Sequence, residues 1–166
     1  MARGRLAGKI ALVSGAGRGI GEAIARCFHG EGATVIVTDL NPQGRAVADD
    51  LGDNARFILL DATDEAAWDA VLDEVLQHYG RLDILVNNAG GSAGAGPFES
   101  YTLDMHRREI DLNLTSTWLG SRCALRAMAR PDARHRPAGP SRCRSSIHQT
   151  QRTTLRQRFL PARHSA

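Results

Sequence analysis

The chain has 166 residues, enough for one domain with a sizeable core, and its 42% apolar content is that of an ordinary globular protein. No apolar run reaches the length of a membrane span, and Met1 to Gly8 carries Arg3 and Arg5 without a following signal-peptide core, so neither membrane insertion nor export is expected. The net charge of +3 divides unevenly: residues 1–130 carry −4 and residues 131–166 carry +7, which predicts two kinds of sequence meeting near Arg130-Pro131.

The first element is a buried strand, Ile10-Ala11-Leu12-Val13. Ser14-Gly15-Ala16-Gly17-Arg18-Gly19-Ile20-Gly21 follows it and leads into a helix on which Ile24, Cys27 and Phe28 share a face. A glycine-rich turn between a buried strand and a helix start is a phosphate cradle. Glycine lets the backbone approach the phosphates, and the N–H groups of the first helical turn supply donors and partial positive charge. The spacing is Gly15-x-x-x-Gly19-x-Gly21 after a hydroxyl residue; Gly-x-Gly-x-x-Gly does not fit, because Ile20 stands three residues after Gly17. Cys27 is expected in the core. Three widely spaced cysteines, Cys27, Cys123 and Cys143, predict no disulfide framework and fit a reducing cytoplasm.

After Gly30, Thr34-Val35-Ile36-Val37-Thr38 reads as a second buried strand ending on Asp39, 18 residues beyond Gly21. An acidic side chain there accepts from ribose hydroxyls and repels a 2′-phosphate, which favours NAD over NADP. Arg18 pulls the other way, because a guanidinium in the loop can pair with a phosphate. The plainer reading of Asp39 is a strand-end turn.

Asn41-Pro42 predicts a helix N-cap with proline at the first position and a short helix to about Leu51. Phe57-Ile58-Leu59-Leu60 is the third strand and ends on Asp61-Ala62; Thr63-Asp64-Glu65 caps the next helix. Trp68, Val71, Leu72, Val75, Leu76 and Tyr79 recur at helical spacing and mark a core-facing stripe. Ile84-Leu85-Val86 is the fourth strand, read as central, and it runs into Asn87-Asn88-Ala89-Gly90. Small residues there leave room for a ligand, and the Asn87 or Asn88 amide can tie down neighbouring backbone. A flexible loop over Gly91–Pro97 precedes one long helix from about Thr102 to Arg130, through Leu103, Met105, Ile110, Leu114, Trp118, Leu119 and Leu125. Within it, Asp111-Leu112-Asn113-Leu114 carries an asparagine that otherwise reads as bonding its own helix backbone.

These four motifs, in this order over about residues 6–130, resemble the short-chain dehydrogenase/reductase family. The resemblance implies an α/β fold, a Rossmann-like doubly wound parallel sheet, here cut after about four strands and the long helix. It implies NAD as cofactor, NADP being disfavoured, and hydride transfer to or from a small-molecule secondary alcohol or ketone. It places Ser14, Gly15, Arg18, Gly19, Ile20 and Gly21 at the cofactor, with Asp39 at its ribose, Asp61 and Ala62 at its adenine, and Asn88, Ala89 and Gly90 beside them. Asn113 takes the role of the asparagine that holds a proton-relaying water. Pairing of copies through the helix around residues 114–129 makes a homo-oligomer possible.

The family's chemistry also uses a serine and a tyrosine followed four residues later by lysine. Ser146, in Ser145-Ser146-Ile147-His148, matches the serine by distance from Asn113, but Phe159 and Arg163 stand where the pair belongs and Lys9 is the chain's lysine. Little or no turnover is therefore expected of these 166 residues, and the alternative function is a non-catalytic fragment that binds NAD or adenosine. Residues 131–166 hold eight arginines among Pro, Ser, Thr and Gln, which predicts disorder. Translation of a shifted frame of a GC-rich gene would give that composition. A nucleic-acid arm is disfavoured, since Phe159 is the tail's aromatic residue, and no metal site is expected from the scattered histidines.

Overall fold

A computed structural model of the chain describes residues 4–92, 94 and 96–129. Strands and helices alternate along it: β1 (Ile10–Ser14), α1 (Gly19–Gly30), β2 (Thr34–Asp39), α2 (Arg45–Leu51), β3 (Ala55–Leu59), α3 (Glu65–Tyr79), β4 (Ile84–Val86), α4 (Leu103–Ile110) and α5 (Ser116–Met128). The strands form one parallel sheet in the order β3-β2-β1-β4. This is the doubly wound, Rossmann-like arrangement expected from the alternation of strand and helix signals.

The period-2 geometry of the strands sorts the core into two layers. Ile10, Leu12 and Ile36 pack with Trp68, Val71, Leu72 and Val75 of α3 and with Leu119, Cys123, Ala124 and Ala127 of α5. Ala11, Val13, Val35 and Val37 face the opposite way, onto Ala25 of α1 and Val47 and Ala48 of α2. Trp68 is fully buried, and its indole N–H donates to the Ala62 carbonyl at 3.0 Å. Burial of so large a ring is affordable because its one polar atom has a partner. The apolar stripe on α3 is thus core, as its spacing predicts.

Several details depart from the sequence reading. Cys27 is exposed, because the buried face of α1 is centred on Gly21 and Ala25, and at 100° per residue Cys27 lies about 140° round the helix from that centre. The proline after Asn41 opens a 3₁₀ turn, Pro42–Gly44, before α2 begins at Arg45. Asn41 caps that turn, accepting from the Gln43 N–H at 3.0 Å. Strand β3 begins two residues before its apolar run, where Ala55 pairs with Val35, and Leu60 continues beyond it with its N–H on the Asp39 carbonyl at 3.0 Å. Among the described residues β4 is an edge strand, and its three residues are half-buried accordingly.

The long helix is interrupted. A π-helical turn, Asp111–Thr115, separates α4 from α5. Leu103, Ile110, Leu114, Trp118 and Leu125 are exposed, and the seam of α5 that meets the core consists of smaller residues, Ser116, Gly120, Cys123, Ala124 and Ala127, around Leu119. Gly120 must be glycine for close packing: a Cβ there would stand 2.8 Å from the Trp68 ring and 2.4 Å from Asn87 Oδ1.

Candidate functional site

All four strands point their C-terminal ends toward one edge of the sheet. There the chain order switches direction between β1 and β4, which is where open parallel sheets leave a crevice. A cleft of about 710 Å³ occupies this edge. It brings together Ser14, Gly15, Arg18, Gly19, Ile20 and Gly21 from the glycine loop with Asp39, Asp61, Ala62, Asn88, Ala89 and Gly90 from the other strand ends. Leu40, Leu60 and Leu112 complete its walls.

The glycine loop is built by two different demands. Gly15 and Gly19 both have φ of +62°, in the left-handed region that side chains avoid. Gly21 has an ordinary φ but no room, since a Cβ would lie 2.3 Å from the Gly15 carbonyl oxygen and 2.5 Å from Asn88 Nδ2. No side chain caps α1, and its first N–H bond within the helix runs from Glu22 to the Arg18 carbonyl at 3.4 Å. The N–H groups ahead of it have no helical partner and carry the positive end of the helix dipole. Such a loop is complementary to a phosphate.

Ser14 and Asn88 fasten the loop to the end of β4. Ser14 Oγ accepts from the N–H groups of Asn88 and Ala89, both at 3.0 Å, and donates to the Val86 carbonyl at 3.3 Å. Asn88 Nδ2 donates to the carbonyls of Ser14 and Gly15, both at 3.0 Å. The Asn88 amide donors are therefore occupied by backbone, so this residue shapes the cleft. Asn87 turns away from it and donates to Ser121 Oγ on α5 at 3.0 Å.

Asp61 folds back on its own loop, whereas Asp39 bridges its own loop and the glycine loop. Asp39 Oδ1 accepts from the Asn41 N–H at 2.9 Å, and Oδ2 accepts from the Gly17 N–H at 2.9 Å. Asp61 Oδ1 accepts from the N–H and the hydroxyl of Thr63, at 2.9 and 2.7 Å. Each carboxylate thus makes strand-end hydrogen bonds while also lining the cleft, because a carboxylate has lone pairs for both.

Asn113 sits in the π turn and does not line the cleft. Its Nδ2 donates to the carbonyls of Gly91 at 2.8 Å and Glu109 at 2.9 Å, while its Oδ1 accepts from the Gly91 N–H at 3.0 Å. It does bond its own helix backbone, and at the same time it anchors the loop that leaves Gly90. Ser146 lies outside the described residues, as do Phe159 and Arg163. Sequence reasoning passed over Gly17, which falls outside the motif spacing, and the apolar walls Leu40, Leu60 and Leu112. The signal for Leu40 and Leu60 was their place at the ends of the second and third strands.

A doubly wound sheet with a glycine loop at its switch point defines a nucleotide-binding α/β fold. Residues 9–136 match the family model for short chain dehydrogenases, and the chain belongs to that family. It is 44% identical over 126 residues to the 3-alpha-(or 20-beta)-hydroxysteroid dehydrogenase of Mycobacterium bovis, covering 75% of this chain and 48% of the relative. It is 39% identical over 134 residues to trans-4-hydroxycyclohexanecarboxylate dehydrogenase of Sinomonas cyclohexanicum, covering 75% and 51%. A crystal structure of 3-ketoacyl-(acyl-carrier-protein) reductase from Brucella melitensis, complexed with NADH, superposes with a TM-score of 0.70 at 35% identity over 74% of this chain and 50% of that one. The chain spans about half the length of the curated relatives it matches.

Proposed function

We infer that the cleft binds a nicotinamide dinucleotide, NAD in preference to NADP, as the cofactor half of an oxidoreductase acting on a secondary alcohol or ketone. The observation that carries this reading is the pairing, in one cleft, of an uncapped glycine-rich helix start with the Asp39 carboxylate at the end of β2. The first suits a pyrophosphate and the second suits the ribose hydroxyls that follow it. The loop's path depends on the glycine, since a Cβ at Gly21 would clash with the Gly15 carbonyl and the Asn88 amide, and that path is what leaves the helix start open to a phosphate. Asp61 and Ala62 line the adenine end, and Ala89 and Gly90 leave a smooth floor toward the nicotinamide. Bound there, the nicotinamide supplies the hydride chemistry. Asn113, by holding Gly91 on both its N–H and its carbonyl, keeps the floor's exit loop in place.

The hydroxyl-bearing ring compounds in the names of two relatives support a small cyclic alcohol or ketone as substrate. Turnover needs a proton donor and acceptor beside the reacting carbon, and no tyrosine in the 166 residues is followed four places later by lysine. The activity proposed for this chain is therefore binding without appreciable turnover, with Ser146 the remaining match to the catalytic set. The exposed stripe of Ile110, Leu114, Trp118 and Leu125 supports self-association into a homo-oligomer. No nucleic acid or membrane enters this reading; no described helix is long and apolar enough to cross a membrane. The cytoplasm is its proposed compartment.

Calorimetric titration of the full chain with NAD tests the binding claim. Saturable binding at one site, weakened by ADP-ribose in competition, is the expected result. A flat titration with a folded chain would remove it.

A further inference from the structure

We propose that Gly17, a glycine outside the family spacing, sets the preference for NAD over NADP by fixing the position of the Asp39 carboxylate. The proposal rests on the dinucleotide reading of the cleft. Gly17 has an ordinary φ, unlike Gly15 and Gly19, so its backbone conformation does not call for glycine. What calls for it is space. A Cβ on Gly17 would stand 2.8 Å from Asp39 Oδ2, 2.9 Å from Asp39 Cγ and 2.9 Å from Gly44 Cα.

On the side away from the cleft the contact is closely packed. Gly44, buried at the end of the 3₁₀ turn, lies against both partners: a Cβ there would meet Gly17 Cα at 3.0 Å and Asp39 Cβ at 3.1 Å. Phe57 closes the far side, with its Cε2 3.0 Å from the same point. The glycine loop, the end of β2 with the 3₁₀ turn that follows it, and Phe57 of β3 thus meet in close contact. Within that contact the Gly17 N–H holds Oδ2 and the Asn41 N–H holds Oδ1, each at 2.9 Å.

Two main-chain donors, one on each oxygen, fix the carboxylate in position and rotation. A carboxylate has about four lone-pair sites, so roughly two remain for the 2′- and 3′-hydroxyls of a ribose. The same fixation keeps the negative charge where a 2′-phosphate would have to sit, and a rigid charge cannot swing aside to admit it. Gly17 is a positioning residue that acts through Asp39. Its replacement by alanine removes the space, displaces Oδ2 and lengthens or breaks the hydrogen bond.

The test compares NAD and NADP affinities of the full chain and of Gly17→Ala by calorimetry. The unaltered chain is expected to bind NAD at least ~10-fold more tightly than NADP, since charge-assisted hydrogen bonds of this kind are worth that much or more. In Gly17→Ala the NAD affinity falls about 10-fold while the NADP affinity changes less than about 3-fold, so the ratio collapses. A purely structural role would lower both together; an unchanged ratio overturns the proposal. A second measurement does not depend on the variant folding or on any ligand. In Asp39→Asn the amide resonance of Gly17 should move relative to the unaltered chain, as that of Asn41 should, and an unmoved Gly17 resonance overturns the proposal. Failure of the unaltered chain to bind either dinucleotide would overturn the dinucleotide reading itself, and this proposal with it.

Discussion

Ser14 and Asn88 hold each other twice: the Asn88 N–H donates to Ser14 Oγ and the Asn88 amide donates to the Ser14 carbonyl, each at 3.0 Å. With the Ala89 N–H also on Ser14 Oγ, and that hydroxyl donating to Val86, every hydrogen-bonding site of the serine side chain is in use. The floor and the glycine-loop wall of the cleft are therefore one hydrogen-bonded unit.

Ser14→Ala leaves two largely shielded N–H groups without an acceptor, and we expect a loss of about 2 kcal/mol of stability in urea unfolding. Asn88→Ala should cost a similar amount, roughly, and the double variant less than the sum, because the two side chains serve one junction. Strict additivity would show that they act independently.

The motif glycines Gly19 and Gly21 should fail in different ways. Gly19 has open space around it and only its φ to defend, so Gly19→Ala is expected to cost about 1–2 kcal/mol while the loop keeps its path. Gly21→Ala sets a methyl against the Gly15 carbonyl and should cost more and abolish dinucleotide binding. Equal losses in thermal unfolding would contradict the distinction between conformational and steric need.

Asp83 provides a pH dependence. Burial acts to raise its carboxyl, but the Arg81 guanidinium, the Ile10 N–H at 2.9 Å and the Lys9 ammonium at 3.6 Å outweigh it and hold the group below the ordinary carboxylate range. A carboxyl depressed by folding adds stability that is fully present above its unfolded value, about 3.9, and is lost as the pH falls through the lower folded value. The unaltered chain should exceed Asp83→Asn by about 1 kcal/mol at pH 7, with the gap closing below about pH 4. A gap that persists undiminished at pH 2.5 would assign the effect to packing.

The described cysteines should differ in reactivity. Burial and the Asp69 carboxylate, its Oδ1 3.5 Å from Sγ, together raise the Cys123 thiol above its ordinary value, against the pull of Arg122. Cys27 is exposed on α1. Maleimide should label Cys27 in the native chain and reach Cys123 only on unfolding. Mass mapping of native-state label on Cys123 would contradict the packing of α5.

The strands were legible because Thr34–Thr38 and Ile10–Val13 are buried on both faces and so carry apolar residues at nearly every position. The inner seam of α5 was not, because closeness to Trp68 selects Gly120 and Ala124, which leave no hydrophobic signal, while the large residues that do signal face outward. Cys27 misled for a related reason: the helix face that buries Gly21 and Ala25 has small residues at its centre and larger ones at its flanks. At the cleft, residues tied to a motif were readable, whereas Gly17 is defined by what Asp39 and Gly44 do in space.

The π turn at Asp111–Thr115 has a consequence for how this segment can vary. It holds one residue more than an α-helical turn would, closing with the Ser116 N–H on the Asp111 carbonyl. Deleting one residue there would let the same Ser116 N–H and Asp111 carbonyl close an ordinary α-helical turn, leaving everything downstream in phase with the core. Leu119, Cys123, Ala124 and Ala127 would stay on the sheet, while the turn that presents the Asn113 amide to Gly91 would be lost. The loop anchor is thus separable from the core layer beside it: loss of the extra residue would cost the cleft's exit loop its hold while α5 kept its seat.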